Sequence, residues 1–140
     1  WTERIGPSAA LKCLEIMERD STFKYITKQG IYLQSAWRKL ADRYQIPITI
    51  SGLPSLGSFS INDPLFLEYK TYITQEMLKK GFLASTACYL SMAHATDLID
   101  SYLNALDEVF HGVSACLSGT SSIHDLLETD VCHDGFKRLN

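Results

Sequence analysis

The sequence predicts an α+β domain, a small antiparallel sheet covered by helices. Three observations carry this. Phe23, Ile26, Leu33, Trp37, Leu40 and Tyr44 recur at spacings of three and four, with Gly30 in the same seam. That is the apolar stripe of one long amphipathic helix. Two short alternating runs, Ile48-Thr-Ile-Ser51 and Ser58-Phe-Ser-Ile61, flank a Gly- and Pro-containing turn and read as a hairpin. Two further helical stripes follow, so helices and a small sheet form two layers.

Each element has a local reason. Gly6-Pro7 opens the first helix, because proline tolerates the first helical position. Ala9, Ala10, Cys13, Leu14 and Met17 make its apolar face, broadened by Leu11 and Ile16. Lys12, Glu15, Glu18 and Arg19 face away. Asp20-Ser21-Thr22 offers N-cap oxygens to the central helix. The polar face of that helix holds Lys24, Lys28, Gln29, Gln34, Arg38, Lys39, Asp42 and Arg43. Pro47 ends it. After the hairpin, Asn62-Asp63 caps a third helix with Pro64 at its first position. Leu65, Phe66, Tyr69, Tyr72, Ile73 and Met77 form its inner face, and Gly81 stops it. Phe82-Leu-Ala84 and Cys88–Met92 read as two short strands. The last helix starts after Thr96, its N-cap, with Asp97 in the first turn and Ile99, Tyr102, Leu103, Leu106, Val109, Phe110 and Val113 along one side. The expected order is α-α-β-β-α-β-β-α. The pattern stops at Gly119, which divides a domain over 1–118 from a polar tail over 119–140.

Composition narrows the function classes. The chain has 140 residues, 46% hydrophobic and 21% charged, as in a soluble globular domain. The formal net charge is −3 and the basic residues are scattered. No nucleic-acid footprint or polybasic membrane anchor stands out. No apolar run is long enough to span a bilayer. Cys13, Cys88, Cys116 and Cys132 lie far apart without a CxxC pair, so they read as reduced, buried thiols of a cytoplasmic protein. The start, Trp1-Thr-Glu-Arg, has no methionine and reads as an internal start.

Spacing alone assembles no complete active site. His94, between a strand and a helix start, reads as a hydrogen-bonded structural residue. Cys132-His133-Asp134 contains metal-ligand types, with His124 and Asp125 nearby in sequence. Three adjacent residues cannot close a tetrahedral site by themselves, so no metal is expected. No Gly-rich phosphate loop appears, and Asp97 is explained by its place in a first helical turn. Ser118-Gly119-Thr120 follows no strand and is not a nucleophile elbow.

Three segments, in this order and spacing, resemble one family: Trp1-Thr-Glu-Arg-Ile-Gly-Pro-Ser-Ala-Ala-Leu11, Ile50-Ser-Gly-Leu-Pro-Ser-Leu-Gly-Ser-Phe-Ser60 and Tyr89-Leu-Ser-Met-Ala-His-Ala-Thr-Asp-Leu-Ile-Asp100. They are similar to the C-terminal part of class III pyridoxal-phosphate-dependent aminotransferases, the branch with glutamate-1-semialdehyde aminomutase. The tail from Val131 is similar to tails in that branch. The resemblance implies the small C-terminal domain of a fold-type I transferase, a larger catalytic domain as partner, pyridoxal phosphate in that parent and a homodimer. It places the Schiff-base lysine and the cofactor-ring aspartate upstream, so the fragment alone should hold no cofactor and be inactive. It puts Thr2, Glu3 and Arg4 at the border of the parent's substrate pocket. Thr86-Ala87-Cys88-Tyr89 stands where the aminomutase branch often has a glutamate before its strand, which leaves the substrate open. The alternative is a stand-alone α+β ligand-sensing or protein-interaction module.

Overall fold

The computed structural model describes residues 3–133 and 135. Its elements run α1 (Ile5–Arg19), α2 (Thr22–Tyr44), β1 (Ile48–Ser51), β2 (Leu56–Ile61), α3 (Phe66–Lys79), β3 (Ala87–Tyr89), α4 (Thr96–Leu117) and α5 (Ile123–Leu126). The three strands form one antiparallel sheet in the order β1-β2-β3. Ile48 pairs with Ile61, Ser51 with Ser58, and Leu56 with Tyr89. The α+β expectation holds.

The core forms where α2, α3 and α4 meet the inner face of the sheet. Trp37, Ile73, Met77, Leu106, Phe110 and Val113 are all fully or almost fully buried. The Trp37 ring packs edge-on against Phe59 of β2 at 5.1 Å, and Phe59 meets Phe110 of α4 at 5.8 Å. Such edge-to-face pairs add roughly 0.5–1.5 kcal/mol beyond area burial. The Trp37 indole N–H donates to the Tyr102 hydroxyl at 3.1 Å, so the one polar atom of the ring is satisfied.

Several local expectations need correction. Phe82–Ala84 is a turn rather than a strand. The Phe82 N–H returns to the Met77 carbonyl and the Ala84 N–H to that of Phe82, so neither donates to a ladder. The last strand is shorter than expected and ends at Tyr89. The third helix begins at Phe66, two residues after Pro64, because the Asp63 carboxylate takes the Leu65 N–H first at 2.8 Å. No side-chain cap bond forms at Ser21. The break between α1 and α2 is made by the backbone, with Ser21 in the left-handed region at φ 50°. Thr96 opens α4 without capping it. Phe23, in the apolar seam by spacing, is exposed, across a shallow groove from Leu14 and Met17 of α1. Gln29, assigned to the wet face, is buried.

The α1 helix has no buried residue. Its apolar face exists, but little of this chain covers it: Ile5, Leu11 and Leu14 are each at least 60% exposed. Cys13, expected to be buried there, is exposed as well.

Gly30 marks the tightest approach in the fold. A Cβ placed there would stand 1.9 Å from the Pro54 carbonyl oxygen in the β1–β2 turn. The obstacle is backbone, so it cannot swing away. Gly30→Ala must push the hairpin off α2, and the expected loss is at least the ~1–3 kcal/mol of ordinary overpacking. Urea unfolding checks it: Gly30→Ala should lower the midpoint strongly. Gly6→Ala, in an exposed helix with open space around it, should hold or raise the midpoint.

Candidate functional site

The turn from Ser91 to Ala95, between β3 and α4, is the most heavily bonded irregular segment. The Ser91 N–H donates to His94 Nδ1 at 3.0 Å, and the His94 N–H donates to the Ser91 carbonyl at 3.1 Å. Since Nδ1 accepts, the neutral ring carries its proton on Nε2. The turn is also held from outside. Gln29 Nε2 donates to the His94 carbonyl at 3.2 Å and to Thr96 Oγ1 at 3.1 Å, and the Tyr25 hydroxyl donates to the same carbonyl at 3.2 Å. His94 is thus a structural histidine at a clamped turn. Gln29 and Tyr25 are the residues that sequence reasoning missed. Position 29 lies three residues from Ile26 and four from Leu33, so it falls on the apolar seam; its polar identity concealed that.

Beside this turn lies an apolar groove of about 400 Å³, with Cys13, Ile16 and Met17 of α1 on one wall and Leu90 and Met92 on another. The clamp therefore also shapes a surface that the exposed α1 face shares. The outer face of the sheet is bare too: Thr49, Ser51, Leu56, Ala87 and Tyr89 are exposed. Ser51 and Ser58 hydrogen-bond across the strands on this face at 3.0 Å.

Glu3 and Arg4 are exposed just before α1, and the Arg4 carbonyl accepts the Ser8 N–H as the helix begins. Thr2 lies outside the described residues. Nothing in the structure brings Glu3 and Arg4 to the clamped turn. At the other end, residues Leu126–Cys132 lie along α3. Gln75 clamps that segment, donating to the Leu126 carbonyl at 3.0 Å and accepting the Glu128 N–H at 2.8 Å. The Cys132 N–H donates to buried Thr71 Oγ1 at 2.9 Å. Asp134 is outside the described residues; among those described, no group of three His, Cys, Asp or Glu gathers to hold a metal.

Among the described residues, Lys12, Lys24, Lys28, Lys39, Lys79 and Lys80 are exposed and Lys70 is half-buried; Lys70 and Lys79 line the groove that Glu128 and Asp130 border. Lys79 is tied up by Glu76 at 2.7 Å and Glu128 at 2.6 Å.

The chain is 26% identical over 120 residues to a glutamate-1-semialdehyde 2,1-aminomutase of Persephonella marina, covering 76% of this chain and 28% of that protein. It is 30% identical over 120 residues to the corresponding enzyme of Ruminiclostridium cellulolyticum, covering 74% and 27%. This chain resembles one part of a glutamate-1-semialdehyde 2,1-aminomutase. It spans just over a quarter of the length of these curated relatives. Its fold superimposes on the FumI protein of Sphingopyxis sp. MTA144, solved in its PLP internal aldimine form, with a TM-score of 0.70 at 19% identity over 85% of this chain and 29% of that one. The small helix-covered antiparallel sheet is the shared fold. No family model matches the chain. Among the described residues, no helix is long and apolar enough to cross a membrane.

Two outcomes are expected. Gln29→Leu keeps the seam apolar but removes the donors, so amide hydrogen exchange at Ser91–Thr96 should accelerate while the core of α4 stays protected. The four cysteines are free thiols of unequal access. Burial pushes the Cys88 thiol pKa up, so at any given pH its thiolate fraction is reduced. Timed alkylation followed by mass spectrometry should modify exposed Cys13 first and Cys88 much later, and the Cys88 rate should keep rising above pH 9.

Proposed function

We propose that the chain acts as the small, C-terminal domain of a pyridoxal-phosphate-dependent class III aminotransferase or aminomutase. Its role is to close one wall of the substrate pocket and to support a homodimer in the cytoplasm. The observation that carries this reading is the exposed apolar face of α1, in a chain that covers just over a quarter of its relatives. A helix with Ile5, Leu11 and Leu14 in water is costly to leave bare. A large catalytic domain that supplies the lysine and the cofactor site is the natural cover. The groove beside the Ser91–Ala95 turn continues that surface, so the clamp of Gln29 and Tyr25 keeps the docking face in one shape.

Thr2, Glu3 and Arg4 would then stand at the junction of the two domains, bordering the substrate pocket. The chain's own residues do no covalent chemistry in this reading. They orient, cover and exclude water. The cofactor, held by the catalytic domain, would supply the electron sink for moving an amino group. Residues 119–140 would be a polar C-terminal segment, anchored by buried Ile123 and by the bonds of Gln75 and Thr71 along α3.

The test is expression of the chain alone and together with its upstream coding sequence. Alone, it should show no visible cofactor band after incubation with pyridoxal phosphate, no borohydride-stable adduct at a single lysine and no transamination. The longer product should show all three. Transamination by the chain alone would overturn the reading, and so would an upstream sequence without a Schiff-base lysine. Leu11→Lys with Leu14→Lys is a second probe. Because both side chains are exposed, the stability of the chain alone should stay within ~0.5 kcal/mol. Binding of a hydrophobic dye should fall, and the longer enzyme should lose assembly and activity together.

A further inference from the structure

A cavity of about 110 Å³ lies between α2, β3 and the start of α4, apart from the α1 face and the sheet's outer face. Leu33, Ile99 and Phe82 form its apolar walls, with Leu98 at the rim; Cys88, His94 and Tyr102 complete the lining. Leu33 and Ile99 are almost fully buried, whereas Leu98 is 45% exposed, so the site has a closed floor and an open mouth.

One buried hydrogen-bond donor remains unspent around it, with a second on a ring that water reaches. The Tyr102 hydroxyl oxygen accepts from Trp37 Nε1, and among the described residues its own proton meets no acceptor. His94 Nδ1 is taken by the Ser91 N–H, which leaves the proton on Nε2, and that nitrogen meets no partner among the described residues. A buried hydroxyl proton without an acceptor costs free energy, so a ligand oxygen at Tyr102 would relieve it, while water reaches His94 Nε2. No Lys, Arg, Asp or Glu lines the cavity, which disfavours a charged ligand. The Cys88 thiol, its pKa raised by burial, stays neutral as well. The volume sets the size. An apolar cavity of ~150 Å³ holds benzene, so this one suits about four or five heavy atoms.

We propose that this cavity binds one small, neutral carbonyl compound, its oxygen accepting from Tyr102 and its alkyl part lying against Leu33, Phe82 and Ile99. The inference rests on no part of the aminotransferase reading. Non-covalent binding is all it claims.

Titration of the chain with 2-butanone, followed by amide chemical shifts, tests it. Saturable shifts confined to Leu33, Cys88, His94 and Ile99 and their neighbours are expected. Butyrate, of similar size but charged, should cause none. Leu98→Trp plugs the mouth from an exposed position and should abolish the shifts. Tyr102→Phe should weaken binding about fivefold or more. If Tyr102→Phe fails to fold because Trp37 loses its acceptor, Leu98→Trp decides alone. Shifts that do not saturate, equal binding of butyrate, or unchanged affinity in Leu98→Trp would overturn the proposal.

Discussion

Everything in this fold is arranged around one buried indole. Trp37 sits in the middle of α2, touches the sheet through Phe59 and reaches α4 through its hydrogen bond to Tyr102. Phe59 passes the contact on to Phe110. One aromatic chain therefore ties the sheet to α2 and α4. An indole is buried at least cost when its N–H finds an acceptor, so the position of Tyr102, nearly two turns into α4, is tied to that of Trp37. The register of α4 against α2 is constrained by a polar contact as well as by apolar volume.

The same helix does a second task at its other end. Gly30 lets the hairpin turn lie directly on α2, and Gln29, next to it, turns inward to hold the Ser91–Ala95 turn. Absence of a side chain at one position and an amide at the next bring two distant loops onto a single helical turn. The two loops belong to the segments that carry the family resemblance, Ile50–Ser60 and Tyr89–Asp100. Their separation in sequence hides the fact that both are fastened to α2.

The α1 helix shows the opposite condition. It has the stripe of a buried helix and the exposure of a surface one. Burial of that stripe would be worth on the order of 25 cal/mol per Å² of apolar area. A stripe of this kind, left bare in a chain that spans part of its relatives' length, is the structural signature on which the proposed domain role depends.

Periodicity alone was enough to read the α+β class, the hairpin, the inward faces of α3 and α4 and most of the α2 seam. These rest on local geometry, which a side-chain pattern records directly. Tertiary structure decided what pattern cannot record. It put Gln29 inside because two carbonyl and hydroxyl acceptors wait there. It put Phe23 outside, beside the equally exposed face of α1. It turned Phe82–Ala84 back on α3 through backbone bonds that β-like composition does not reveal. It left α1 uncovered, since whether an apolar face is buried depends on what lies opposite it.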